Sequence, residues 1–223
     1  MVGRKAAAVL VCSALLFGCS GNGGVGDPDP NADPPPDNYD IEFGGSGVVR
    51  WRTSDFPLLV YIPALPAEVV EPERTWITSN VTAAVDAWDS IIPDIADVAD
   101  ITTDQAQADL EIHWRPDFGT SPFGRVIWTF GGSTALMHGM ELGYKKELHG
   151  IEANYADYYD NMSHELGHVL GIMGHSGVDT DLMCPGGNSF TRTLTGRDEE
   201  ALRWLYRQSS FMRIETAPYN DPD

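Results

Sequence analysis

Apolar positions along the chain fall into a few blocks separated by polar stretches. Ala6 to Phe17 (AAAVLVCSALLF) is an apolar run of twelve residues behind Arg4 and Lys5. It is too short to span a bilayer as a stable helix and has the pattern of an export signal. From Ser20 to about Asp40 the chain is Gly, Pro and Asp with almost nothing apolar, a composition that cannot bury enough surface to order itself and predicts a flexible tether. Folded patterning begins near Gly47. Arg50-Trp51-Arg52 leads into Pro57 to Ile62 (PLLVYI), a dense β-forming run closed by Pro63, which predicts a strand. Between Pro72 and Ile92 the residues Trp76, Ile77, Val81, Ala84, Val85, Trp88 and Ile91 recur at three- and four-residue steps, which predicts one helix with an apolar face and its tryptophans in the core. Asp109 to Trp114 alternates as a half-buried strand; Arg125 to Phe130 and Thr134 to Tyr144 predict two more, the last interrupted by Gly139 and Gly143. Helices over Asn154 to Ile172 and Arg197 to Tyr206 close the pattern, with Thr195 and Asp198 as a capping pair for the second.

This patterning divides the chain into a signal peptide (1–18), a tether (19–46), one folded domain (47–210) and a C-terminal tail (211–223). Leu16-Phe17-Gly18-Cys19 resembles the lipobox of bacterial lipoproteins, which would make Cys19 a lipidated N-terminus; simple secretory cleavage is the alternative. With Cys12 lost and Cys19 acylated, only Cys184 remains, so no intrachain disulfide is expected. The chain is exported in either case, as an envelope lipoprotein or a secreted protein.

Charge narrows the partners. Acidic residues outnumber basic ones 33 to 14, and losing Arg4 and Lys5 takes the net charge from −19 to −21. Such an excess repels nucleic acid and anionic lipid. The expectation is a monomer with no nucleic-acid partner, touching a membrane only through its lipid anchor.

The chemistry lies in HELGHVLGIMGH, residues 164–175. On a helix, residues four apart project from one face about 6 Å apart, so His164 and His168 can offer two imidazoles to one ion. Glu165 stands one step round and can reach a water there without being a ligand. Gly171 can adopt the left-handed conformation that ends a helix and turns the chain back. A third histidine, His175, comes one residue later than the usual spacing; inside a helix that slip would rotate it by about 100°, but beyond a glycine stop a loop can absorb it, with Gly174 easing the turn.

These residues resemble the metzincin metallopeptidases, and among them the matrixins. The family pattern HExxHxxGxxH with a following methionine turn is matched by His164, Glu165, His168, Gly171 and His175-Ser176, then Leu182-Met183-Cys184-Pro185. Weaker likenesses extend over roughly Val48 to Gln208. The resemblance implies an α+β fold: a twisted, mostly parallel mixed sheet, with a first strand and helix packed together, an active-site helix, a Met turn and a C-terminal helix. It also implies a catalytic domain with one zinc held by His164, His168 and His175 over a floor made by Met183. Glu165 would be the general base of an endopeptidase acting on protein or peptide substrates. The strand Thr134 to Tyr144, as the sheet edge, would pair with the substrate, and the loop 185–193 would line the pocket beyond the scissile bond.

The family's latency switch and its spacing for structural metals are missing. His113, His138 and His149 are therefore read as ordinary histidines, and calcium at Asp179 to Asp181 is unsupported though open. Two rival readings are open: a zinc-binding surface lipoprotein without catalysis, and a peptidase taking Glu199 or Glu200 as its third ligand.

Overall fold

The computed structural model describes residues 8–13, 39, 48–116, 124–131, 133–145, 147–148, 151–152, 155–185 and 192–219. Cys19, His149 and most of the loop 185–193 lie outside them. In chain order the elements are β1 (Ala8–Ser13), β2 (Val48–Arg50), β3 (Leu58–Tyr61), α1 (Glu73–Val85), β4 (Ala99–Thr102), β5 (Leu110–Arg115), β6 (Gly124–Gly131), β7 (Thr134–Gly143), β8 (Glu147–Leu148), β9 (Ile151–Glu152), α2 (Tyr155–Val169), α3 (Gly196–Arg207) and β10 (Phe211–Thr216). The class is mixed α/β, with a mostly parallel main sheet and, among the described residues, three α-helices, as expected at that coarse level.

The main sheet runs β1-β6-β7-β5-β3-β4, with β10 pairing β7 and β2. The pairs β3–β4, β3–β5, β5–β7, β10–β7 and β10–β2 are parallel, whereas β6–β7 and β1–β6 are antiparallel. The ten residues of β7 serve two neighbours in turn. Its Thr134–Met137 half pairs with β10, and its Met140–Gly143 half pairs with β5. Gly139 lies at the changeover with φ +141, and the β6 register shifts opposite it between Ile127 and Trp128. A bulge there re-aims one half of the strand relative to the other.

Three expectations are corrected. The strand at 134–144 is not an edge: β7 is flanked by β6 on one side and by β5 and β10 on the other. Its mostly buried residues fit an interior position, and β6 stands outside it. The segment 211–223 is no mere tail, because Phe211–Thr216 enters the sheet and buries Met212 and Ile214. Finally, the helix expected to reach Ile92 stops at Val85, and Asp86–Trp88 forms a tighter turn. That turn carries Trp88 into full burial, where its indole N–H donates to Ser163 O at 2.8 Å. This tertiary contact outweighs the helical periodicity that the sequence continues past Val85.

The core fills the space between sheet and helices. Ile77, Val81, Ala84 and Val85 of α1 pack toward α2, whose Met162, Leu166 and Val169 are wholly buried. The C-terminal end of α2 is tied down by side chains from distant elements. Trp51 Nε1 donates to Val169 O at 2.9 Å, and Tyr206 Oη donates to Leu170 O at 2.9 Å. Carbonyls that a helix end leaves unpaired thus find buried donors. Residues 8–13, expected within the removed signal, pair along Arg125–Phe130 of β6 in the intact chain. Among the described residues no helix is long and apolar enough to cross a membrane.

Candidate metal centre

Helix α2 presents His164 and His168 on one face, and the chain then turns at Gly171, which has φ +110. A Cβ at Gly171 would come within 2.2 Å of Val49 O, so glycine is required both by conformation and by this close approach. Gly174, expected to ease the longer turn, is not among the positive-φ glycines; the extra residue is absorbed in ordinary backbone. His175 returns to the helix, and its ring lies 5.3 Å from His164 and 4.9 Å from His168, centroid to centroid. One potential ligand atom from each of the three histidines falls within 4.8 Å of the others, close enough to hold one metal ion.

Hydrogen bonds fix which nitrogens are available. His164 Nδ1 lies 2.7 Å from Leu182 O, and His168 Nδ1 lies 2.6 Å from Ile172 O. A carbonyl can only accept, so both Nδ1 atoms carry the proton and both Nε2 atoms keep a lone pair. His164 Nε2 and His175 Nε2 are buried with no partner inside the protein, a costly arrangement for polar atoms unless a ligand engages them. Burial pushes His164 well below the ordinary histidine range, helped by the neighbouring His168 and His175. Burial likewise lowers His168 to about 4, and with His168 and Arg192 it lowers His175 to about 3. Three neutral imidazoles on one small volume are the donor set of a borderline divalent metal.

Glu165 is also buried, and its Oε2 has no partner within the protein. Burial raises its carboxyl well above the usual range. The start of β6 lies against it, since a Cβ on Gly124 would be 2.8 Å from Glu165 Cγ.

The turn carrying Met183 is held by two wholly buried carboxylates. Asp198 accepts from Leu182 N and Met183 N at 3.1 Å each, and from Thr195 N at 2.7 Å. Thr195 and Asp198 form the expected capping box of α3. Asp181 accepts from Ser176 Oγ at 2.5 Å and Thr195 Oγ1 at 3.0 Å, and is bridged by Arg197. Burial alone would raise the Asp181 carboxyl; the bonds from Arg197, Ser176 and Thr195 outweigh it and hold the group below its usual range. Asp181 therefore spends both oxygens on the scaffold, which leaves calcium at Asp179 to Asp181 without support.

Among the described residues no other cluster could hold a metal. His138 bonds Thr129 and Pro218 O through its two nitrogens, and His113 stacks on Tyr219 at 3.5 Å. Glu199 pairs with Arg203 at 2.7 Å on α3 rather than joining the three histidines. Cys184 is buried in the Met183 turn with its thiol toward Asp179 and Pro185 O. The sequence reading weighed Asp181 only as a calcium ligand, and passed over Gly167 and Arg192. The scaffold role of Asp181, directly before Leu182-Met183, and of Gly167, within HELGH, was open to notice; that of Arg192 was not, because its backbone N–H donates to Asp160, 32 residues away.

The chain matches no protein-family profile, and no curated protein matches it either.

Proposed function

We propose that the protein is an exported zinc endopeptidase of metzincin type. The observation that carries this reading is the close set of His164, His168 and the half-buried His175, with Nδ1 of the first two committed to carbonyls and the buried, unpartnered Glu165 Oε2 one helical step away. A zinc ion held there by the three Nε2 atoms would act as a Lewis acid, polarising a peptide carbonyl and lowering the pKa of a water toward about 7.

The chain's own groups do the rest. Glu165 Oε2 takes a proton from the attacking water and passes it to the leaving amine nitrogen. The raised carboxyl pKa of the metal-free site suits a group that holds that proton between the two transfers. Because β7 is interior, the substrate strand would lie on β6, the antiparallel strand whose start at Gly124 abuts Glu165 and whose outer side becomes an edge once residues 8–13, which pair with it in the full chain, are removed. Main-chain hydrogen bonds to an edge give affinity for extended peptide whatever its sequence. Behind a lipidated Cys19, the Gly, Pro and Asp tether would hold the domain off the membrane.

A peptide-library digest by the chain, with and without a zinc chelator, tests the proposal. Cleavage that stops on chelation and returns with zinc is expected. A folded, zinc-loaded chain that cuts no member of a diverse library overturns it in favour of a zinc-binding protein.

A further inference from the structure

Tyr39 lies inside the segment expected to be a free tether, yet it is 7% exposed. Its backbone forms an antiparallel bridge with Ser176, and its hydroxyl donates to Asp198 Oδ1. Both partners belong to the machinery of the metal centre. Ser176 directly follows His175, and its N–H donates to Met183 O at 2.8 Å. Asp198 takes the N–H groups of Leu182 and Met183, and Leu182 O in turn receives the His164 Nδ1 proton. One residue therefore reaches two of the three histidines: His164 through its phenol, Asp198 and Leu182, and His175 through its backbone bridge to Ser176.

We propose that Tyr39 is a positioning residue for the metal centre: the end of the tether is built into the scaffold that sets the His164 and His175 rings. This inference rests on the zinc reading above and deepens it. The choice of tyrosine has a physical reason. Asp198 is wholly buried and receives its other hydrogen bonds from Leu182, Met183 and Thr195. A further donor to a buried carboxylate spreads its charge, whereas phenylalanine would fill the same space and leave an oxygen less satisfied. Burial and the Asp198 contact keep the phenol protonated far above neutral pH, so it stays a donor.

The test uses the full chain and reads the metal directly. Zinc dissociation constants are measured by competition with a chromophoric chelator, and cobalt-substituted protein gives a visible spectrum that reports ligand geometry. Tyr39→Phe should weaken zinc binding about tenfold, the weight of one hydrogen bond to a charged group, and should alter the cobalt bands. Tyr144→Phe removes a phenol–carboxylate bond of 2.6 Å to Glu68 and should leave both readouts unchanged. Wild-type zinc affinity and cobalt bands in Tyr39→Phe overturn the inference, whatever its melting temperature. A Tyr39→Phe chain that stays unfolded at saturating zinc overturns it too, since the contact would then serve folding alone. The two readings fail separately: a wild-type chain that binds zinc but cuts nothing sinks the peptidase and leaves Tyr39 to be judged on affinity.

Discussion

Met183 lies directly beneath Gly167: a Cβ added to this glycine would stand 2.4 Å from the Met183 Sδ and 2.8 Å from Trp88 Cζ2. The variable position before the second histidine of HELGH is thus filled by the residue that lets the Met183 turn pass under the helix. Trp88 cannot retreat, because it is wholly buried and its N–H is bonded to Ser163 O. Gly167→Ala should therefore destabilise the fold by about 1 to 3 kcal/mol, the usual cost of overpacking, and should weaken metal binding as the turn shifts. Chemical denaturation and a zinc titration check the two effects. A variant as stable as the parent would show that Met183 is free to move aside.

The three histidines and Glu165 separate binding from chemistry. On the proposed reading His175→Ala would remove one of three ligands and should lose most bound zinc, measured by metal analysis after dialysis; His138→Ala, whose ring bonds Thr129 and Pro218, should keep it. Glu165→Ala should hold zinc normally yet lose about 10²- to 10⁴-fold in cleavage rate, the range for removal of a positioned general base. Equal loss of metal in both variants would make Glu165 part of the binding site.

Much of this arrangement is legible in the sequence because it is local. Helix spacing fixes how His164, Glu165 and His168 stand to one another, and the capping box at Thr195 and Asp198 needs only four consecutive residues. What is illegible depends on distant partners. The stop of α1 at Val85 depends on a hydrogen bond from Trp88 to a residue 75 positions away. The interior place of β7 depends on β10, whose alternation in FMRIET is visible but whose partner is not. Strand β4, with two of its four residues exposed, is too short and polar to stand out by pattern. Tyr39 shows the same limit, since its tether composition gives no hint of a buried partner 159 residues away.

Acid should weaken the fold through Glu141. This carboxylate is wholly buried between Arg115 and Arg125, with Arg115 Nη2 at 2.7 Å from Oε1 and Tyr219 Oη at 2.5 Å from the same oxygen. Burial would raise its pKa, but the bonds from Arg125, Arg115 and Tyr219 prevail and hold it below the usual carboxylate range. A lowered folded-state pKa means stability that is fully present above the unfolded value, about 4.3, and lost as pH falls through the folded one. Glu141→Gln should cost about 2 to 4 kcal/mol at pH 7 by breaking the ion pairs that a wholly buried carboxylate makes with the half-buried Arg115 and Arg125. It should also flatten the dependence of stability on pH below about 4. Denaturation midpoints between pH 3 and 7 decide this, and an acid limb of unchanged slope in the variant would assign the pH dependence to other carboxylates.

The outer edge of β6 should be closed in the intact chain and open once residues 1–18 are gone. Ala8 to Ser13 pair antiparallel with Phe130 to Arg125, so the segment runs toward Gly124 and the Glu165 carboxylate that lies against it. An extended substrate would need the same edge, and a segment tethered to the same chain competes at an effective concentration near the millimolar range. A chain beginning at residue 20 should therefore cut a reporter peptide several-fold faster than the full chain at substrate concentrations below KM. Free peptide of sequence AVLVCS, added to the shorter chain, should raise the apparent KM and leave kcat unchanged. Hydrogen exchange gives a reading independent of activity: outward amides of Arg125 to Phe130 should be protected in the full chain and exchange fast without residues 1–18, because an unpaired edge leaves its N–H groups to water. Equal protection in the two chains would mean that the edge is covered by something other than Ala8 to Ser13, and the substrate strand would then have to be sought elsewhere than on β6.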